Sequence, residues 1–352
     1  MISLCKFMET TPYQELFKRI QPKAWAYIQG QYSAPKRWLL LMEPFIYFFM
    51  AIGLLSTGIN ALTMLSATAL LFFYYVRIGF LGHDIIHGQL FDRKAKSTSA
   101  IVWLVCSLGQ GISELWWKEK HNEHHRAPNG VESTEHDFHL VDTDVDTMPF
   151  LLWDAKFYRA SDYQSAWKQW FLKHQDKLVW PLLAIIRPLW ARHSLFHGKL
   201  SDGIPQKLGV LIHYFGMMSL LVFMSGWMGL LVFAVALGMG SLVIGIFSLS
   251  SHAGMDTYEV SGTKHPFERA LISTRNVQAN PFIFWLSGGL SHQIEHHLYA
   301  NLPRYALRKM SPLIEQECKA LGIPYLTHGT LDAIGYLPSS LRSVKEQIQP
   351  VK

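Results

Sequence analysis

Charge is scarce in this chain and unevenly placed. Charged residues make up 16% of its 352 residues, against about a quarter in an ordinary soluble domain. Two long stretches, Leu208 to Met224 and Trp227 to Ser251, contain no Lys, Arg, Asp or Glu, which excludes them from a water-facing surface. Cysteine is rarer still. Cys5, Cys106 and Cys318 are far apart and form no C-x-x-C pair, excluding an iron–sulfur cluster and a disulfide framework; bystander thiols are expected. Met1 to Pro12 lacks a basic patch, an apolar run and a small-residue cleavage site, so no cleaved signal peptide is expected and the first spanning helix should direct insertion. There is no internal repeat, and no dinucleotide fingerprint, because Gly238-Met239-Gly240 lies inside an apolar helix and reads as packing. The net charge of +6 is spread over polar connections without a basic tail or stripe. That argues against a nucleic-acid partner and for a membrane protein with positive flanks.

What the chain does hold is long apolar runs, 49% of residues being hydrophobic. Residues 1–37 are mixed and polar and read as an interfacial segment. Trp38 to Ile59 is apolar apart from Glu43, with Pro44 expected in the first turn of the helix. Asn60 makes a short turn into Ala61 to Leu81, interrupted only by Arg77. Both runs are long enough to cross a bilayer, which takes about 20 residues. Ala100 to Ile112 and Leu178 to Trp190 are shorter and are expected to be partly embedded, with Glu114 to Lys177 between them as the main polar region. Ser225-Gly226 joins the two uncharged blocks into a second hairpin. The expected fold is therefore all-α: one membrane domain, 1–352, with four transmembrane helices in two hairpins (about 38–59, 61–81, 208–224 and 227–251) and a helical cap formed by 82–207 and 252–352. Neither hairpin turn carries a basic residue, so the positive-inside rule makes the cap side cytoplasmic.

Histidines gather on that side. His83 and His87 are spaced i, i+4; His121, His124 and His125 are spaced i, i+3, i+4; and Gln293, His296 and His297 repeat the second spacing. On a helix each set shares one face. Neutral imidazole is the commonest metal ligand, and three converging faces offer too many nitrogens for one closed four-coordinate ion. The pattern implies two metals with positions left over, and iron suits imidazole where oxygen chemistry is involved.

These three boxes, in this order and between these hairpins, resemble those of the membrane fatty acid desaturases from about residue 40 to 310. Gln293 opening the third box, Trp116-Trp117, His121-Asn122, Pro128-Asn129 and the run Asp142 to Pro149 resemble the front-end subgroup, which acts between an existing double bond and the carboxyl end. The resemblance implies two iron ions, O₂ as co-substrate, removal of two hydrogens from an acyl C–C bond, and metal ligands at His83, His87, His121, His124, His125, Gln293, His296 and His297. The family also has a histidine after its last span, a place matched by His252. His292 could reach a metal by spacing, but the resemblance gives that role to Gln293 and leaves His292 behind it. Asp84, Asn122 and Glu295 are candidates to accept the outer N–H of metal-bound imidazoles, or else face solvent or cap helices. His213 is expected to be packed or pore-facing. The acidic stretch Glu132 to Asp146, with His136 and His139, is expected to be a solvated loop. Trp103, Trp116, Trp117, Trp153, Trp167 and Trp170 are expected mostly in an interfacial belt, with an acyl tunnel as the alternative.

Many front-end members carry a cytochrome b5 domain with a His-Pro-Gly-Gly motif, whereas here the only His-Pro, His265-Pro266, continues Phe267-Glu268. A separate electron donor of cytochrome b5 or ferredoxin type is expected, with a lipid or acyl substrate and the membrane as the other partners. The expected setting is the bacterial inner membrane, with the endoplasmic reticulum as the other possibility. Rival readings are a related hydroxylase or sphingolipid desaturase using the same boxes, and a histidine-lined metal transporter.

Overall fold

Among the described residues, four helices are long and apolar enough to cross a membrane: α2 (Ala34–Ser56), α3 (Ala61–Ile86), α8 (Ile204–Ser225) and α9 (Met228–Leu249). They belong to a computed structural model that describes residues 10–30, 32–91, 96–134, 138–144, 147–197, 203–262 and 264–348. Cys5, His136 and Asp146 lie outside the described residues. Before the first span comes α1 (Pro12–Gln29), opened by a Thr11–Gln14 capping box.

Each hairpin follows from its turn. Asn60 caps α3 by accepting from the backbone N–H of Leu62 and Thr63, while Thr63 Oγ1 accepts from Asn60 N, so two orphan donors are satisfied reciprocally. The α8–α9 turn places Gly226 at φ +60, a conformation that favours glycine. The expected position of Pro44 is corrected. Pro35 opens α2, the helix begins earlier than Trp38, and Pro44 is interior, where it removes one helical hydrogen bond.

The two charges inside the first hairpin find each other. Arg77 donates from Nε and Nη2 to Glu43 at 3.0 and 2.9 Å, Arg77 Nη1 donates to the Trp285 carbonyl, and Trp285 Nε1 donates to Glu43 at 2.7 Å. This clamp ties α2 and α3 to α11 (Pro281–Leu286). The inner helices α3 and α9 pack closely. A Cβ on Gly240 would lie 2.6 Å from Tyr75 Cβ, so within Gly238-Met239-Gly240 it is Gly240 that packs against α3, while Met239 is exposed.

Both short apolar segments are interrupted. α4 (Lys96–Trp103) runs into a π-helix, Leu104–Gln110, that ends at Gly111, and α6 (Ala166–Ala184) breaks at Ile185 before α7 (Ile186–Phe196). The cap adds α5 (Glu114–Arg126), α10 (Pro266–Ser273), α12 (Gln293–Leu298), α13 (Arg304–Ala320) and α14 (Thr330–Gln347). Among the described residues its short strands lie in two sheets. β1 (Gly130–Ser133) pairs antiparallel with β2 (Phe138–Leu140) and parallel with β3 (Tyr258–Glu259). β4 (Asn276–Val277) pairs parallel with β5 (Thr327–His328). The first sheet joins the loop after α5 to the loop after α9, two segments that both reach the histidines. α1 packs on α13 through Leu16, Ile20 and Ala24, which are fully buried.

Candidate metal centre

Four segments deliver the imidazoles. The end of α3 presents His83 and His87 one turn apart. α5, capped by Ser113 Oγ accepting from Trp116 N, presents His121, His124 and His125. His252 stands in the turn after α9, its N–H donating to the Leu249 carbonyl. α12 brings His296 and His297. The approach to α12 passes so close to α3 that a Cβ on Gly288, at φ +60, would lie 2.5 Å from Phe80 Cβ.

The eight rings form two groups. His83, His87, His121, His125 and His296 offer nitrogens that all lie within 4.8 Å of one another, and His124, His252 and His297 do likewise. The inward nitrogens meet Nε2 to Nε2: His83–His296 at 3.1 Å, His121–His87 at 2.9 Å, His125–His121 at 3.1 Å and His297–His252 at 3.2 Å.

The outward nitrogens show why Nε2 is the inward acceptor. His124 Nδ1 meets both oxygens of Asp142 at 2.8 and 2.9 Å, His121 Nδ1 meets Asp144 at 2.6 Å, and His252 Nδ1 meets the Ser273 carbonyl at 3.0 Å. A neutral imidazole that donates from Nδ1 keeps its Nε2 lone pair for the interior. Burial reinforces neutrality, pushing His121 down to about 4 and His252 to about 3, and His125, His296 and His297 well below the usual imidazole range. His124 differs: burial lowers it, but the charge and hydrogen bond of Asp142 outweigh that and raise it.

Asp142 and Asp144 correct the reading of Glu132 to Asp146 as a solvated loop at its far end, whereas Glu132, Ser133, Thr134, Phe138 and His139 are exposed as expected. Asp142 is fully buried and also accepts from Asn129 N at 2.8 Å and Asp144 N at 3.1 Å. Asn129 takes a left-handed backbone, φ +53, which Asn tolerates better than most residues, and its Nδ2 donates to the His252 carbonyl at 3.0 Å. The loop therefore braces both histidine groups. His139 lies apart, against Arg159.

The other candidates separate clearly. Asp84 stands 3.5 Å from His83 Nδ1 and is ion-paired to Arg304, so it braces the first box at longer range. Asn122 is exposed and stands behind no imidazole. Glu295 is fully buried but faces away from the rings, accepting from Tyr325 Oη at 2.6 Å and Asn276 Nδ2 at 2.9 Å. Burial pushes its carboxyl up to about 7 against those hydrogen bonds. His292 belongs to neither group; its Nδ1 lies 3.0 Å from Ser291 Oγ and its ring is edge-on to Phe284. Gln293 is buried, and its Oε1 has no hydrogen-bond partner among the described residues. His213 is packed, with Nδ1 against the Leu108 carbonyl, and His265 caps α10.

Gln293 lines a cavity of about 900 Å³, counting space open to solvent, whose wall also includes His83, His121, His124 and His296. The rest of that wall is largely apolar, with Phe80, Ile112, Ile244, Leu249 and Leu290 among its residues. Trp117 joins it, stacked on His121 at 4.3 Å, so this tryptophan follows the tunnel alternative. Trp116 is buried with Nε1 donating to His193 Nδ1, Trp103 bonds the Pro205 carbonyl and Trp153 bonds Thr147. Trp167 and Trp170 are half exposed, as a belt requires. A wider hollow of about 1670 Å³ adjoins the cavity at Asp144, Ile186 and Trp190, and Lys120, Arg192, His193 and His197 lie in its wall.

Four helices long and apolar enough to span a membrane, under a cap whose clustered imidazoles could hold metal beside a largely apolar cavity, define a membrane-type histidine-cluster protein. The family model for fatty acid desaturases matches residues 59–329, and the chain belongs to that family. It is 29% identical over 310 residues to an acyl-lipid (9-3)-desaturase of Physcomitrium patens, covering 85% of this chain and 58% of that protein. Against a Delta(5) fatty acid desaturase of Caenorhabditis elegans it is 29% identical, covering 71% and 57%. Against a Delta(8)-fatty-acid desaturase of Euglena gracilis it is 31% identical, covering 79% and 68%. The chain thus spans under three-fifths of the length of the first two relatives.

Proposed function

We propose that the protein is an O₂-dependent acyl desaturase of front-end type, with two irons held by His83, His87, His121, His125 and His296 and by His124, His252 and His297. Gln293 serves as a weaker donor at the cavity face. One observation carries the reading: eight imidazoles cluster in two metal-sized groups, and four of them, His83, His121, His124 and His296, wall a largely apolar cavity. The donor set fits iron, because the imidazole nitrogens converge, burial favours the neutral form of most of the rings, and carboxylates or carbonyls hold several of them from behind. The chemistry that two irons would supply when bound is the reduction of one O₂ to two waters, with two electrons delivered one at a time by a separate carrier and two protons taken from water, as an acyl CH₂–CH₂ becomes CH=CH.

The chain's own residues supply the rest. Phe80, Ile244 and Leu290 hold an alkyl chain by burial and exclude water. Trp117 fixes the His121 ring and closes the cavity beside it. Asp142 and Asp144 keep His124 and His121 in the tautomer whose Nε2 faces inward. The two hairpin turns without basic residues support a cytoplasmic cap, where a soluble or membrane-bound electron carrier has access. The bacterial inner membrane is the favoured setting.

Expression in a host fed defined unsaturated acyl chains, with double bonds located by mass spectrometry, tests the proposal. The expected product is lighter by two hydrogens, with the new bond between an existing one and the carboxyl end. A gain of oxygen would make the protein a hydroxylase, and metal flux into vesicles without any lipid product would make it a transporter.

A further inference from the structure

Deep in the bundle a guanidinium has donors to spare. Arg187, near the start of α7, is completely buried. Its Nη2 donates to the Tyr75 carbonyl at 2.6 Å, and its charge lies 5.5 Å from the Tyr75 ring. Nε and Nη1 are buried without a hydrogen-bond partner among the described residues. The same side chain lines the apolar cavity that reaches His83 and His296. A cation withdrawn from water needs acceptors or a counter-charge, and an ionisable group inside a membrane protein usually marks a binding path. Donors in a cavity wall are satisfied by what enters the cavity.

Its position suggests what that is. A Cβ on Gly79 would lie 2.4 Å from Arg187 Nη2, so the guanidinium sits at the level of Gly79. His83 is about one helical turn, roughly 5–6 Å, further along α3, a distance that an extended acyl chain covers in a few carbon–carbon bonds. α7 also leads outward. Ile186 and Trp190 wall both the cavity and the wider hollow, whereas Arg192, His193 and His197 line the hollow alone. A bulky carrier can stay in the hollow while the first carbonyl passes Trp190.

We propose that Arg187 receives the carbonyl or carboxylate oxygen of the acyl substrate and thereby sets how many carbons separate the front end of the chain from the histidine centre. The inference rests on the desaturase reading. Arg187 is a positioning residue: Nε–H and Nη1–H donate to the oxygen, and no bond to it is made or broken. An oxygen ester, a thioester and a free carboxylate all present the required acceptor.

The test compares one unsaturated chain supplied to the wild type as ester, thioester, free acid and an ether-linked analogue in which CH₂ replaces the carbonyl, with Arg187→Met and Arg187→Lys run on the ester. Double bonds are located in every product. The wild type should give one dominant regioisomer from the ester. Its excess over neighbouring positions should fall about tenfold, the worth of a hydrogen bond from a charged donor, with the ether analogue and equally in Arg187→Met, while Arg187→Lys recovers part of it. Acting on the free acid at the same position would place a carboxylate at Arg187, and acting on the esters alone would place an esterified carbonyl there. Unchanged regiochemistry with the ether analogue, or in Arg187→Met on the ester, overturns the inference. The analogue arm uses only wild-type protein, so a misfolded variant does not blunt it. A wild type that desaturates none of the substrates overturns the desaturase reading itself, and this inference with it.

Discussion

Replacing Asp142 by Asn changes one atom in a residue that never meets solvent, yet it should empty one metal site before the other. The carboxylate accepts from His124 Nδ1 and from the backbone N–H groups of Asn129 and Asp144. An amide supplies one oxygen and a pair of donors, so a buried N–H must face another N–H, at about 1–3 kcal/mol for each group left unsatisfied. His124 also loses the charge that holds its ring. Removing the group behind a ligating histidine typically weakens metal affinity about 10- to 100-fold. The loss should fall on the His124, His252 and His297 group and spare the five-histidine group, which Asp144 braces through His121. Metal per protein, measured by plasma mass spectrometry after graded chelator treatment, should drop from two to one in Asp142→Asn at a chelator concentration that leaves the wild type intact. Asp144→Asn should deplete the other group. Retention of both metals by Asp142→Asn under that challenge, with turnover unchanged, would refute the argument that this buried loop holds the ring.

Three further outcomes are expected. Arg77→Met should lower stability in detergent by about 3 kcal/mol, since breaking a buried pair strands its partner; adding Glu43→Leu should recover part of that, and additive losses would show that the clamp does not exist. Gly240→Ala drives a methyl against Tyr75 and should cost about 1–3 kcal/mol by overpacking, read as a fall in apparent Tm, whereas Gly53→Ala, where a methyl would meet nothing within 4 Å, should not. Tyr325→Phe removes a donor from buried Glu295 at a cost of about 1–3 kcal/mol, but it lies on the far side of α12 from the rings, so metal stoichiometry should remain two.

The spans were legible because hydropathy is local: each is a run of side chains that no water-facing helix could tolerate. Their ends were less so. α3 continues past Leu81 to Ile86, so the first box is part of the spanning helix itself, and Pro35 moves the start of α2 ahead of Trp38. Spacing was enough to orient the imidazoles of each box, because a helix face is also a local property. The carboxylates behind them were not legible in that way. Asp142 and Asp144 alternate in an irregular loop whose pattern matches ordinary solvated sequence, and only the β1–β2 return of the chain across α5 sets them against Nδ1 atoms. The only hint was their position after a box with no acidic partner at helical spacing. Glu295 failed in the opposite sense: it stands inside a box, yet one residue of helical rotation turns it toward Tyr325. Arg187 offered no signal beyond being a charge in a short apolar run.

The length of α3 bears on the lipid around it. Roughly 33 Å of helix separates Ala61 from His83 at 1.5 Å per residue, close to the ~30 Å hydrocarbon thickness of an average bilayer. The first box therefore emerges at the boundary with the headgroups, carried on a rod whose other end is fixed by the Asn60 cap. In a thicker membrane the rod stands upright and draws the box toward the oil; in a thinner one it tilts, or the lipid gives way, at a modest energy per ångström of mismatch. Because Arg77 and Glu43 lock α2 to the same rod, the hairpin tilts as a unit. The thickness of the surrounding bilayer would thus set how deep the first box sits at that boundary, and bilayers thinned by more unsaturated lipids, the products of the proposed reaction, would shift that depth in turn.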